Sequence, residues 1–405
     1  MTLAEVQSLV FRTTAAPAAA MEALDRSSTL EIISDERGFR ELAPVWDTLL
    51  EQSASRSPFL RWDWVSLWWE QEHDRFDLAI TVLRDAHGEV RAIAPLVLGR
   101  PLRGPRRSLR HLSFMGGIGQ IESLRLDFIV PRGEESRLTP RLCEVFTKLR
   151  AHWDMVRLIA VPAESPNLPF IVRALKSCAS GARVVNTHDC HFISLPHDWH
   201  EYEMSRSINW RGQIRRKWKA METKHRGRTC LAGEDMPVKI AMDELAVLHA
   251  RRWSEDVSEY LRPAAQIFHH QLAARWVPQG RALLPYIEIG GRMAAAVYAL
   301  VEDDTVYHFQ MGWDPAFEEI SVGKLAMAWC IRDSMTRHAR VYDMLPGEFE
   351  YKKRWCDETR HVLDLEAFHP HRLQVLVFRA LRAAKRAFSG HGHVTLSNNN
   401  HHSHE

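Results

Sequence analysis

The hydrophobic positions of the chain switch repeatedly between a period of two and a helical period, and the switches mark out alternating strands and helices. Leu30–Ile33 predicts a strand, and Arg37–Leu50 and Trp62–Glu70 predict amphipathic helices. Asp77–Arg84 and Glu89–Gly99 read as strands joined by Asp85-Ala86-His87-Gly88, a hairpin signal. Leu124–Val130, Met155–Val161 and Arg183–Leu195 predict further strands, with helices over Glu134–Ala151 and Asn167–Cys178 between them. The second half repeats this outline. Helices over Ser205–His225 and Pro237–Glu255 lead into a hairpin, Arg281–Ile289 and Met293–Val301, turning at Gly290-Gly291. Thr305–Gly312 predicts a strand, Val322–His338 a helix, Val341–Leu345 and His361–Phe368 strands, and Leu373–Phe388 a last basic helix. Alternation of this kind predicts an α/β fold with mixed α+β layers. The repeated outline predicts a tandem duplication, with units over 29–198 and 199–388, a loose Ala/Thr/Ser-rich leader over 1–28 and a polar tail over 389–405.

Composition narrows the class without naming a partner. The 405 residues suit two domains, and 45% hydrophobic with 26% charged residues is ordinary for a folded chain. The 53 Lys and Arg against 51 Asp and Glu leave a net charge of +2, so any polyanion site must come from local clustering. The six cysteines are scattered with no C-x-x-C pair, which argues against a disulfide scaffold or zinc ribbon and fits a reducing compartment. The apolar run Met293–Val301 is too short to span a bilayer, and no secretion signal is legible, so the expectation is a cytoplasmic protein. The five histidines of the tail read as a solvated segment, and no metal site is expected.

Charge does cluster locally. Arg206 to Arg228 holds nine Lys and Arg against the single acid Glu222, with Trp210 and Trp218 interleaved. Such a helix either grips phosphates or is a solvated basic face. Arg100–Arg110 adds five arginines and no acid. The tryptophans, fourteen in all and numerous at helical spacing around the first helices, read as core and interdomain packing. The most informative stretch runs from Tyr307 to Trp355. A strand ends at Gly312, Trp313-Asp314-Pro315 turns, and Ser321-Val322-Gly323-Lys324 opens a helix. Free amides at a helix N-terminus make an anion site that suits a pyrophosphate, although the same residues also describe an ordinary helix start with Ser321 as N-cap. Asp343 ends a predicted strand, where it serves either as a cleft carboxylate or as a hydrogen-bonded anchor for the following turn. Tyr351 and Trp355, four apart, also fit a packed helical turn.

Taken with their order and spacing, these residues resemble the CelD/BcsL-type acyltransferases, a branch of the GNAT superfamily akin to the FemABX aminoacyl ligases. The resemblance is carried by Pro58-Phe-Leu-Arg-Trp-Asp-Trp64 with Trp68-Trp69, by Ala94-Pro-Leu96, by Arg211 to Lys217, and by the series from Gly312 to Trp355. It implies a tandem pair of GNAT-like domains with acyl-donor chemistry in the second. It further implies acetyl-CoA or another acyl-CoA as co-substrate, with Gln310 and Gly312 along the pantetheine arm and Ser321, Val322, Gly323 and Lys324 around the pyrophosphate. By the same resemblance Asp343, Tyr351 and Lys352 are the candidate catalytic residues, and Arg211, Arg215 and Arg216 contact substrate or donor. The acceptor is expected to be a small molecule such as an amino acid or sugar, or an envelope-polysaccharide precursor. Aminoacyl transfer from charged tRNA, and a catalytically degenerate binding subunit, are the competing expectations.

Overall fold

The computed structural model describes residues 28–100, 109–121, 123–251, 253, 258–347, 350–356 and 358–380, with the side chains of Glu350 and Tyr351 left out. Most of the expected leader and the whole tail, most of the arginine run 100–110 and the end of the last helix therefore lie outside the described residues.

The first half contains β1 (Thr29–Ile33), β2 (Phe76–Leu78), β3 (Ile80–Arg84), β4 (Val90–Ala94), β5 (Leu96–Gly99), β6 (His111–Phe114), β7 (Met155–Pro162) and β8 (Ser180–Ser194). The second contains β9 (Arg228–Leu231), β10 (Ala282–Leu283), β11 (Pro285–Ile289), β12 (Arg292–Glu302), β13 (Thr305–Trp313), β14 (Val341–Pro346) and β15 (Glu358–Phe368). Several expectations need correction. The helix expected over Arg37–Leu50 divides into Glu36–Glu41 and Ala43–Gln52, because Pro44 restarts a helix and cannot donate inside one. Asp77–Arg84 breaks at Ala79, and its two parts serve different sheets. Leu124–Val130 forms no strand; it touches the small sheet through one bridge, Ile93 with Ile129. The helix Pro263–Trp276 and strands β6 and β9 were not legible beforehand.

The sheets explain the duplicated outline. A three-stranded sheet, β1-β3-β4, flanks a twelve-stranded one in the order β2-β5-β6-β7-β15-β8-β14-β13-β12-β11-β9, with β10 on β12. Each half builds the same parallel pair, β6 with β7 and β13 with β14. The strand that completes each half comes from the other: β15 pairs with β7, and β8 pairs with β14. Between them β8 and β15 run antiparallel at the centre, from Glu358 opposite Phe192 to Phe368 opposite Ser180.

Successive side chains of β12 join two different cores. Ala296, Tyr298 and Leu300 belong to a core shared with the first half, while Ala295, Val297 and Ala299 belong to a second core under the helix Val322–Thr336. The hairpin turn between β11 and β12 uses two left-handed glycines, Gly290 (φ 60°) and Gly291 (φ 73°), as an I′-type turn requires. Tryptophans fill the cores as expected, with Trp46, Trp64, Trp68, Trp153, Trp276 and Trp355 fully buried. The Pro58–Trp64 motif fastens the halves together. Phe59 meets Tyr307 and Phe309, Trp64 meets Phe268 and Trp276, and Arg61 reaches Glu302 at the end of β12. Among the described residues no helix is long and apolar enough to cross a membrane.

Candidate functional site

Strands β13 and β14 are paired only at Thr305–Val341, Val306–Tyr342 and Tyr307–Asp343. Beyond that point β13 stays with β12, pairing Gln310 with Tyr298 and Gly312 with Ala296, while β14 stays with β8, pairing Pro346 with Cys190. The strands therefore part at His308 and Met344 and open a wedge. Gly312 lets a helix approach one wall of it: a Cβ there would stand 2.8 Å from the amide of His249 and from Leu248 Cβ. His249 fixes that wall, with Nδ1 3.0 Å from Met311 O and Nε2 2.8 Å from Ser258 Oγ.

At the wedge, the helix Val322–Thr336 begins. Ser321 holds a left-handed backbone (φ 49°), and its side chain makes no cap to the helix; its hydroxyl accepts from Lys217 Nζ instead. Lys217 and Lys324 both have their pKa pushed down, first by burial and then by neighbouring cations: Arg216 for Lys217, and Lys217 and Arg354 for Lys324. The nearby acids face elsewhere, Glu319 to His225 and Asp314 to Arg251. A helix N-terminus ringed by mutually repelling cations is an anion site by both dipole and charge. The corresponding helix of the first half, Glu135–Leu142, starts with Glu134 and Glu135, and Glu135 already accepts from the Gly133 amide (2.8 Å). The gap beside β6 and β7 is also filled by the chain itself, with Leu126 N donating to Ala160 O (3.0 Å). Of these two helix starts, among the described residues, the one in the second half favours phosphate.

Gly323 is a packing glycine as well. A Cβ there would stand 2.9 Å from the Trp313 ring. Gly323→Val is therefore expected to lower stability by about 1–3 kcal/mol through overpacking, with a matching fall in the urea midpoint. A full-stability variant would show that the Trp313 contact yields freely.

The catalytic candidates gather at the end of β14. Asp343 is fully buried; its Oδ2 accepts from Arg360 Nε (2.9 Å) and its Oδ1 from the Leu345 amide (2.7 Å). Lys352 Nζ donates to the carbonyls of Met344 (2.8 Å), Leu345 (3.1 Å) and Pro346 (3.0 Å), holding the lip of the wedge with its charge buried beside it. Leu345 takes a left-handed backbone (φ 56°) to allow this. Tyr351 lies in the short helix Glu350–Lys353. His308 meets Tyr342 OH at 2.8 Å, and burial together with Lys352 brings its pKa down to about 3, so it is neutral near pH 7. Cys190 is no nucleophile, since burial and then Asp343 push its thiol up to about 12.

Of the arginines expected at the site, two are engaged with other groups and the third neighbours Lys217. Arg215 makes a two-point pair with Glu203 (2.7 Å twice), Arg211 Nη1 lies 2.7 Å from Met204 Sδ, and Arg216 is exposed. The residue of that helix which reaches the anion site is Lys217. The signal for it lay in the helical period: Ile214 and Met221 are the buried residues of the Ile208–Thr223 helix, and Lys217 lies between them on the same stripe. Arg360 and Arg354 carried no such signal. A further buried cation, Arg125 (φ 51°), donates from Nη2 to Glu164 (2.5 Å), while its Nε and Nη1 are buried without a hydrogen-bond partner.

The parted parallel strands and the helix start beyond them define an acyltransferase-type fold of the GNAT class. Residues 209–353 match the family model described as an acetyltransferase (GNAT) domain. The fold is similar to that of FemX, with TM-score 0.56 and 10% identity over 84% of this chain and 97% of that one. It is also similar to a conserved protein of unknown function from Bacteroides thetaiotaomicron, with TM-score 0.50 and 8% identity over 84% and 100%. Among the curated proteins, none matches this sequence.

Proposed function

We propose that the chain is an acyltransferase that moves an acetyl or longer acyl group from a CoA thioester to an amine or hydroxyl of a small molecule or envelope-polysaccharide precursor. Units 29–198 and 199–388 are both GNAT-like in this reading, and the second is catalytic. The chain's Pro58–Trp64 motif and Gly312–Trp355 series support a member of the CelD/BcsL type.

The observation that carries the reading is the coincidence of the wedge with the cation-ringed start of the Val322 helix. The donor pyrophosphate sits on the amides of Val322 and Gly323 and the charges of Lys217, Lys324 and Arg354. The pantetheine arm follows β13 past Gln310 and Gly312, which brings the thioester carbonyl to the lip held by Lys352. Attack by the acceptor puts negative charge on that oxygen, and the buried ammonium of Lys352 stabilises it. Tyr351 donates to the leaving thiolate. Asp343, gripped by Arg360, positions the strand and takes no proton.

Titration calorimetry with acetyl-CoA tests the donor site. Micromolar binding is expected, and Lys217→Met and Lys324→Met should each weaken it about tenfold, or ~1.4 kcal/mol. No binding, or unchanged binding in both variants, would sink the donor assignment. The exposed cations of the Ile208–Thr223 helix, Arg216 and Lys219, support aminoacyl-tRNA as a second reading. Tight, steeply salt-dependent binding of charged tRNA in place of acetyl-CoA would favour it.

A further inference from the structure

Strand β8 outlasts its neighbour β15. The β15 register begins with Glu358 opposite Phe192, so Ile193 and Ser194 keep β14 on one side and, among the described residues, have no strand on the other. A cavity of about 230 Å³ adjoins this edge, walled by the helix Trp199–Ser205 and by Trp355. Pockets for drug-sized ligands run from roughly 300 to 1,000 Å³. This one therefore admits a single sugar ring or amino acid and is too small for a whole CoA.

Its lining has a definite chemical character. Phe192, Tyr202 and Trp355 line it, together with Glu201, Glu358 and Arg206. Arg206 is already committed: Nη1 donates to Trp355 O (3.3 Å), Nε to Ser205 Oγ (3.1 Å), and the guanidinium lies 5.2 Å from the Tyr202 ring centroid. Glu201 spends one oxygen on a capping box, its Oε2 accepting from His197 N (3.3 Å) while Asp198 Oδ1 accepts from Glu201 N (2.8 Å). Two carboxylates against one engaged cation leave the cavity net negative. Tyr202 and Trp355 are each 2% exposed and Arg206 lies over Tyr202, so the half-buried Phe192 is the ring left to meet a ligand and the carboxylates are what attract a cation.

Position ties the cavity to the wedge. Phe192 is the cross-strand partner of Asp343, the last residue of β14 that pairs with β13. The guanidinium of Arg360, which grips Asp343, lies 5.2 Å from the Phe192 ring centroid. The cavity therefore adjoins the parting point one strand away.

We propose that this cavity seats the acceptor, and that the acceptor is a monosaccharide-sized ring carrying a protonated amine, a hexosamine. Its role in transfer rests on the acyltransferase reading above; its ligand chemistry rests on the lining alone. In the reaction one ammonium proton is released to solvent, the nitrogen forms the C–N bond as the C–S bond breaks, and a second proton from that nitrogen ends on the CoA thiolate.

The experiment is a calorimetric titration of the full chain with D-glucosamine at slightly acid pH, with N-acetyl-D-glucosamine and acetyl-CoA as parallel titrants. Glucosamine should bind in the millimolar range, and the neutral N-acetyl sugar at least about tenfold more weakly. The Glu201→Gln/Glu358→Gln double variant should lose about tenfold for glucosamine and change acetyl-CoA affinity by less than about twofold. Glutamine preserves the capping box, and both positions are exposed, so a thermal melt should match the parent. Absence of glucosamine binding, equal binding of the N-acetyl sugar, or an unchanged double variant each overturns the proposal. Glucosamine binding without acetyl-CoA binding upholds the cavity and strikes the donor reading instead.

Discussion

Arg61→Ala is expected to destabilise the fold by about 3–5 kcal/mol, the cost of leaving one member of a buried ion pair without its partner. Arg61 and Glu302 are 7% and 3% exposed, and Arg61 contacts Glu302 from Nε (2.7 Å) and Nη2 (2.5 Å). Burial works against the guanidinium's charge, yet its hydrogen bonds to Glu302 and Glu51 outweigh that and hold its pKa above the ordinary value. Removing Arg61 strands the Glu302 carboxylate where water cannot solvate it. Because the pair joins the Pro58–Trp64 motif to β12, the loss should lower the urea midpoint of the whole transition and not split it in two. Replacing both members, Arg61→Met with Glu302→Leu, should recover most of the deficit, since an apolar pair of similar volume carries no desolvation cost. A single-variant loss under about 1 kcal/mol would mean that the aromatic contacts alone join the halves.

Lys352→Met should lower kcat by about 10–10², because its three N–H groups are held by strand carbonyls and its charge alone acts on the developing oxyanion, with donor affinity changed by less than about threefold. The substitution also leaves three strand carbonyls without their donor, so stability should fall by about 1–3 kcal/mol. The two effects separate in the kinetics. A lysine that merely shaped the lip would raise KM and weaken acetyl-CoA binding along with turnover, because the wedge wall would move. A fall confined to kcat, with acetyl-CoA binding intact by calorimetry, assigns the charge to the transition state. Equal losses in kcat and in affinity remove Lys352 from the catalytic step.

The layered fold was legible because its signals are local. The continuous apolar run of β12 and the Gly290-Gly291 turn each follow from a few neighbouring residues. Strand β6, four residues long, is held by partners far away in sequence and has too little alternation of its own to declare itself. The pairing of β15 with β7 was illegible for a stronger reason: either half could have supplied its own last strand, and nothing in the alternation of Glu358–Phe368 says which neighbour it takes. At the site, Ser321–Lys324 did fall at a helix start, where propensity and capping speak. Its supporting cations, Lys217 and Arg354, come from other elements, and only Lys217 left a trace, as a lysine on an apolar stripe. Gly323 falls in the expected pyrophosphate segment, whereas its contact with Trp313 depends on how a helix leans on a strand.

The exchange of β8 and β15 sets a timetable for synthesis. Pro162 finds its partner in Val362 only when the ribosome has added the intervening chain, which at about 5–20 residues per second takes roughly 10–40 s. Throughout that interval the edge of β7 is unpaired beside a formed apolar layer, an open template for another chain. The nascent first half is therefore the stage at which this protein depends most on chaperones. Truncations that end between β8 and β15 should accumulate as aggregates, not as a smaller soluble domain.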